Sequence, residues 1–389
     1  MTISCTSPRT ALVMWAMAVV AVATFVSAPG KQGKLYATFV AAGNHFRTGE
    51  PLYGEIPEGQ DQYRYSPLVA AAFAPWGQLP TPVGAVLWRV FEAAVYLLAL
   101  RAWTRVAAPL VPWPVLALLT LPLVLGNVYN AQLNPLVAAL MLASVAAFAG
   151  DRLWLAAAAI AGAAAVKVYP LALGLLLTVV EPRRFGPRLA VAVAIGCGLP
   201  FALQSPEYVT QQFTDWAGRV GDDDRTEQPM ERGYHDFQKV LRRWGLPTPL
   251  DTYRVMEVIA GAAAAGLVLW GRWRGQPRDQ LIHTCAGLGF VWCTLFGPAT
   301  ESATYMLLAT TVAHASVAVV SRPLWERVTV WGAMFLLASV PIAMWFSRPI
   351  SDPYRALIPQ GHGALLLLGW LVWDAVRGDE RDRMSETPK

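Results

Sequence analysis

Apolar stretches of bilayer length, separated by short gaps that carry arginine, constrain this chain more than any other feature. Ala11 to Ala28, Pro82 to Leu100 and Leu153 to Val166 each cover all or much of the roughly 20 apolar residues that cross a hydrocarbon core. A backbone in that core has no water to bond, so it must satisfy its own N–H and C=O groups, and runs of this length do so as helices. Charged residues make up only 15% of the 389 residues and hydrophobic ones 55%, whereas soluble domains carry about a quarter charged. This composition excludes a disordered chain, a nucleic-acid-binding domain and a secreted disulfide scaffold. It predicts an all-α integral membrane protein.

Charge then sets the topology. Lys and Arg outnumber Asp and Glu, 31 to 26. The excess falls in the polar gaps, where it is a topology signal and implies no nucleic-acid partner. About twelve transmembrane helices fit the pattern, over 11–28, 82–101, 110–126, 132–149, 152–167, 169–181, 188–203, 255–272, 279–297, 302–320, 327–346 and 358–376. Arg101 and Arg105, Arg152, Arg183, Arg184 and Arg188, Arg272, Arg274 and Arg278, and Arg322 and Arg327 fall in gaps on one side. Positive loops stay in the cytoplasm, so the expectation is a multi-pass plasma-membrane protein with both termini cytoplasmic. The polar tail over 377–389 reads as disordered. The first run, with Arg9 before it and Val26-Ser27-Ala28 after it, imitates a signal peptide but is long for one and reads as a retained helix. The chain divides into a membrane module over 1–203 with a large first outer loop at 29–81, an outer loop at 204–254, and C-terminal transmembrane helices over 255–376.

Some segments need separate treatment. Residues 66–79 are apolar but short and contain Pro67 and Pro75, which predicts a re-entrant or interfacial helix. Residues 152–167 and 169–181 stand either as two short spans or as one broken helix. In the first outer loop, Leu35, Phe39, Ala42 and Phe46 recur at helical spacing, as in an amphipathic surface helix. The second outer loop holds Asp222-Asp223-Asp224 and then Lys239, Arg242 and Arg243. Loops this long are uncommon unless they serve a function.

The polar residues of interest sit near the outer ends of spans. Gly126 to Pro135 contains Asn127, Asn130, Gln132 and Asn134, a set of carboxamides that either orients a hydroxyl-rich ligand or simply caps a turn. Lys167, in Val166-Lys167-Val168-Tyr169-Pro170, is a lone cation between apolar stretches. It either binds phosphate as a point charge or snorkels from a span end. Glu301, after Gly297-Pro298-Ala299-Thr300, is a base, a partner for a cation, or an acid favoured by a helix N-terminus. His45 and His235 read as solvated loop residues, His283 and His314 as core. Cys5, Cys197, Cys285 and Cys293 match neither a metal site nor a disulfide framework.

Several of these motifs occur together in one known family. Tyr63-Arg64-Tyr65-Ser66-Pro67, followed by Pro75, Leu79-Pro80 and Leu87-Trp88, is similar to the aromatic-x-Tyr-x-Pro segment of glycosyltransferase family 87. Gln132-x-Asn134 resembles its Gly-Gln-x-Asn turn, with Ala131 in place of the glycine. Lys167-Val168-Tyr169-Pro170 resembles its Lys-x-x-Pro element, and Gly49 to Tyr53 its Gly-x-x-x-Tyr. The resemblance covers roughly residues 30–180. It implies a GT-C-like architecture in which the large first outer loop carries interfacial helices. It also implies transfer of a sugar, mannose in the best-understood relatives, from a polyprenyl-phosphate donor to a lipid or glycan acceptor on the outer face. Such a hexosyltransferase of the cell envelope would have membrane lipids around it and need no cofactor and no metal.

On that resemblance Lys167 and Arg64 hold the donor phosphate, and Tyr65, Asn130, Gln132 and Asn134 contact the substrate. One position departs from the pattern. Family members carry an Asp about eighteen residues before the loop tyrosine, and here that count from Tyr53 reaches Leu35. A transfer of this kind needs a base within reach of the acceptor hydroxyl. Glu50, Glu55, Glu58, Asp61 and Glu301 are the outer carboxylates, with Glu301 and then Asp61 expected to serve. Without a base the alternative is a non-catalytic protein that binds or translocates polyprenyl lipids. A solute transporter fits the span count but not the lack of internal repeats.

Overall fold

The computed structural model describes residues 7–28, 33–54, 61–107, 111–221, 228–298 and 300–386. Every regular element among these residues is helical. Prolines open many of the helices. Pro8, Pro67, Pro135 and Pro182 lie in first turns, where a missing N–H costs nothing and the fixed φ suits the helix. Among the described residues six helices are long and apolar enough to cross a membrane: Pro8–Ser27, Thr81–Val106, Pro182–Ala202, Leu250–Trp273, Leu324–Ala343 and Arg348–Arg377. Trp113–Tyr129, Asn134–Ala149, Leu153–Val166 and Leu171–Val180 are apolar but shorter. Asn134–Ala149 is apolar around most of its circumference and correspondingly buried, packed between Thr81–Val106 and Leu153–Val166. By contrast Leu250–Trp273 exposes Val255, Val258, Ile259 and Leu269, an outward apolar face that suits lipid contact.

Residues 152–181 form two helices parted at Lys167, whose backbone is extended (φ −145°, ψ 132°). Pro170 enforces the break, because its ring lacks a donor and would clash with the carbonyl four residues earlier. Leu153–Val166 has 14 residues, about 21 Å of helix, against a hydrocarbon core of about 30 Å. A helix that short does not cross the core by itself.

The arginines of the short gaps gather at one end of the bundle and close helix termini there. Arg278 donates to the carbonyls of Phe148 at 2.7 Å and Ala149 at 3.1 Å, and pairs with Glu181 at 2.6 Å. Arg272 caps Val179 at 2.9 Å. Arg184 bridges Asp151 and Glu181 at 2.8 and 3.1 Å. Cations at helix C-termini satisfy otherwise orphaned carbonyls and suit the helix dipole. At the same end Glu326 is fully buried against Arg377 at 3.0 Å and the Trp370 indole at 3.2 Å. Half-buried His283 and His314 stack at 5.6 Å beside Trp103.

The other end carries both long loops. The amphipathic segment of the first is the helix Lys34–Thr48, which buries Tyr36, Phe39, Ala42 and Phe46. Residues 66–79 form the short helix Pro67–Phe73 and a single turn over Trp76–Gln78. That helix lies so close to Lys34–Thr48 that a Cβ at Gly43 would meet the Phe73 carbonyl carbon at 2.5 Å, which only glycine avoids. The second outer loop supplies the amphipathic helix Pro206–Gly221 and the short helix Phe237–Arg243.

The last helix runs from Pro359 to Glu386. One sequence expectation changes. His235 is buried, 3% exposed, not a solvated loop residue. His45 stays at the surface, 3.4 Å from Glu50. Cys5, Glu55, Glu58 and the run Asp222-Asp223-Asp224 lie outside the described residues.

Candidate active site

The loop end of the bundle encloses a cavity of about 450 Å³, in the range of small-molecule sites, roughly 300–1,000 Å³. Its wall is assembled from four distant stretches of chain. The first outer loop gives Leu35, Asp61, Arg64 and Tyr65. The turn after Trp113–Tyr129 gives Gln132, the break at Pro170 gives Lys167 and Tyr169, and the later loops give Asp236 and Glu301. Six of the eight residues expected from the sequence therefore line one space: Glu301, Asp61, Lys167, Arg64, Tyr65 and Gln132.

The first-loop motif is held by its own carbonyls. The Asp61 carbonyl accepts from Thr38 at 3.1 Å, that of Arg64 from the Trp216 indole at 3.1 Å, that of Tyr65 from the Tyr53 phenol at 2.6 Å, and that of Ser66 from the Tyr63 phenol at 2.9 Å. Buried carbonyls need such partners. The Gly49-to-Tyr53 and Tyr63-to-Pro67 motifs are thus two halves of one hydrogen-bonded frame. Gly49 itself ends Lys34–Thr48 in the left-handed conformation, φ +80°, which glycine adopts without strain. The Ser66 hydroxyl then donates to the Ala165 carbonyl at 2.5 Å, which fastens this frame two residues before Lys167.

The helix Pro206–Gly221 and Gln204 just before it clasp the same loop. Gln204 donates to the Phe46 carbonyl at 2.8 Å, the Gln212 carboxamide oxygen accepts from Leu52 N–H at 2.8 Å, Tyr208 donates to the Glu50 carbonyl at 2.8 Å, and Arg219 donates to the Tyr53 carbonyl at 2.7 Å. Trp216 and Arg219 of this helix also line the cavity.

The carboxamide turn separates into structural and site residues. Gln132 N–H donates to the Asn127 carbonyl at 3.0 Å and Ala131 N–H to the Val128 carbonyl at 3.2 Å, with Ala131 left-handed at φ +53°. This is a Schellman cap, and it accounts for the glycine that the family pattern has where Ala131 stands. Asn130 closes onto the Gly126 carbonyl at 2.9 Å, and buried Asn134 donates to the Asn127 side chain at 2.9 Å. Neither Asn130 nor Asn134 lines the cavity; only Gln132 does.

Arg89 supports this turn from within the bundle, and sequence reasoning passed it over. It is fully buried in Thr81–Val106. Its guanidinium donates to the Tyr129 carbonyl at 3.0 and 3.2 Å and to its own Ala85 carbonyl at 2.8 Å. Fully buried Glu92 lies one helical turn further on. An Arg and a Glu three residues apart inside an apolar span were the signal available.

The Lys167 ammonium sits 5.6 Å from the centre of the Tyr169 ring, a cation–π contact. Burial first, and then the charge of Glu301, push the Tyr65 phenol well up, with Arg64 opposing and Asp61 adding. The His235 N–H donates to the Thr300 carbonyl at 2.7 Å, which sets Asp236 beside the loop that carries Glu301. Asp236 and Glu257 both line the cavity, and sequence reasoning had named neither. Leu35, where the family pattern has an acid, also faces this space.

Comparison with known proteins places this arrangement. ArnT from Cupriavidus metallidurans bound to undecaprenyl phosphate is similar at 16% identity over 98% of this chain and 82% of that one, with a TM-score of 0.39. The apo form of the same protein is similar at 16% identity over 96% and 78%, TM-score 0.39. No curated protein matches. The model of glycosyltransferase family 87 matches residues 63–294, more than half of the chain and most of the cavity wall. The protein is a member of glycosyltransferase family 87.

Proposed function

We propose that this membrane glycosyltransferase moves a hexose, mannose in the first instance, from a polyprenyl-phosphate donor to a lipid or polysaccharide acceptor at the outer face of the plasma membrane. The observation that carries the reading is the convergence of Lys167, Arg64, Gln132 and several carboxylates on one cavity. Lys167 ends a helix too short for a full crossing, which suits a phosphate carried on a lipid embedded in the same bilayer. Its ammonium and the Arg64 guanidinium neutralise the phosphate as it leaves with the bonding electrons. Gln132 and Tyr65 offer hydrogen bonds to sugar and phosphate oxygens. Glu301 and Asp61, the carboxylates expected from the sequence to act as base, line the same cavity. The loop end faces outward in this proposal, with the arginine-rich end and both termini in the cytoplasm.

The test is donor binding followed by transfer. Purified protein in nanodiscs is offered radiolabelled polyprenyl-phosphate hexoses, and Lys167→Ala should lose donor affinity by about tenfold or more, as removal of a charged hydrogen bond does. Unchanged affinity removes Lys167 from the site. The second reading, a protein that binds or translocates polyprenyl lipids without transfer, draws on Leu35, which occupies the cavity wall where the family pattern has an acid. Saturable donor binding with no labelled product favours it.

A further inference from the structure

The transferase reading gives the donor phosphate its cations and leaves open what holds the sugar. The amphipathic helix Pro206–Gly221 of the second outer loop brings Trp216 and Arg219, one turn apart, to the cavity. We infer that these two side chains form the sugar subsite. The Trp216 ring is the platform on which a neutral hexopyranose lies, and the Arg219 guanidinium holds hydroxyl oxygens at the sugar's rim. This inference rests on the reading of the cavity as a glycosyl-transfer site.

The helix is fixed in rotation as well as in place. Positions 212, 216 and 219 share one helical face, and each is bonded to the main chain of the first loop. The buried Gln212 side chain accepts from Leu52 N–H at 2.8 Å, the Trp216 indole donates to the Arg64 carbonyl at 3.1 Å, and Arg219 donates to the Tyr53 carbonyl at 2.7 Å. The Tyr53 phenol in turn donates to the Tyr65 carbonyl at 2.6 Å, so the anchors of Trp216 and Arg219 belong to one hydrogen-bonded unit. In the donor the sugar is joined directly to the phosphate, so a sugar subsite has to adjoin the phosphate cations. Trp216 meets that condition, because its anchor is the carbonyl of Arg64 itself.

These bonds decide what each side chain has left for a ligand. An indole has one polar hydrogen, and that of Trp216 is spent on the Arg64 carbonyl. What half-buried Trp216 offers the cavity is therefore the π-system, electron-rich on its faces. Phe213 packs against it T-shaped at 6.2 Å. A pyranose chair turns weakly positive C–H bonds to its faces and most hydroxyls to its rim, so it covers an aromatic ring without burying a hydroxyl unpaired. Arg219 spends one of the five N–H groups of a guanidinium on Tyr53 and among the described residues pairs with no carboxylate. Its remaining donors suit the hydroxyl oxygens of a ring resting on the neighbouring indole.

Comparing the affinity of bare polyprenyl phosphate with that of polyprenyl-phosphate mannose, glucose and galactose, in nanodiscs, separates sugar from phosphate. The wild type should bind at least one sugar-loaded lipid more tightly than the bare one. Trp216→Phe keeps a ring and should keep that preference, weakening both kinds of lipid alike through Arg64. Trp216→Leu and Trp216→Met remove the ring and should cut the preference by about tenfold, and either variant that melts near the wild type decides the point. Arg219→Gln should weaken the sugar-loaded lipids more than the bare one; an equal loss for both assigns Arg219 to the phosphate and overturns its part. A preference kept in Trp216→Leu or Trp216→Met, or a wild type that binds bare and loaded lipids equally, overturns the sugar subsite and leaves the transferase reading standing. A wild type that binds neither kind of lipid overturns that reading and the inference with it.

Discussion

The indole N–H of Trp216 donates to the main-chain carbonyl of Arg64 at 3.1 Å, so a helix of the second outer loop fixes the position of a cation contributed by the first. The two loops are separated by more than a hundred residues and by several helices, yet they form one wall. Through Ser66 and the Ala165 carbonyl the same wall reaches the break that presents Lys167. The donor end is therefore built from loop-to-loop hydrogen bonds laid over a rigid helical floor.

Trp216→Phe keeps the ring and removes that one bond, which is worth about 1 kcal/mol. The expected result is a KM for the polyprenyl-phosphate donor raised about fivefold, with kcat nearly unchanged. Steady-state kinetics at several donor concentrations read this directly. A fall in kcat with constant KM contradicts a positioning role.

Ala131 holds a left-handed φ of +53° at the Schellman cap that presents Gln132. An L-residue pays about 1–2 kcal/mol for that conformation, while removing its buried methyl costs about 0.8 kcal/mol. Ala131→Gly should leave the protein as stable or up to about 1 kcal/mol more stable. A melting temperature lowered by several degrees in detergent contradicts this account of the turn.

Arg89→Leu removes both guanidinium bonds to the Tyr129 carbonyl and the one to the Ala85 carbonyl. A buried acceptor left without its donor costs about 1–3 kcal/mol, read as a lowered unfolding midpoint. An unchanged midpoint contradicts the supporting role of Arg89.

Leu35 faces the cavity from the first loop. Leu35→Asp places a carboxylate where the family pattern has one. It should raise the transfer rate above that of the wild type, with a pH dependence of its own. No gain, with donor binding intact, shows that Leu35 lies out of reach of the acceptor.

Much of this was legible in the sequence because the signals are local. Apolar runs give the helices, Pro170 gives the break at Lys167, and the spacing of Phe39, Ala42 and Phe46 gives a surface helix whose buried face the structure confirms. The first-loop motif and Lys167 were recognisable as one site because a family pattern joins them. Asp236 carried no such mark. It follows a histidine in a long polar loop, and only the bond from His235 to Thr300 brings it to the cavity. Asn130, Gln132 and Asn134 look alike in sequence, and only their surroundings part them, the two asparagines bonding the Gly126 carbonyl and the Asn127 side chain while Gln132 lines the cavity.

The most direct measurement is transfer itself. Wild-type protein in nanodiscs, given radiolabelled polyprenyl-phosphate hexoses and total membrane lipids, should yield a new labelled product, and Lys167→Ala should lose both the product and most of the donor binding. Saturable donor binding that yields no product from any hexose would contradict the account and leave a protein that only binds its lipid.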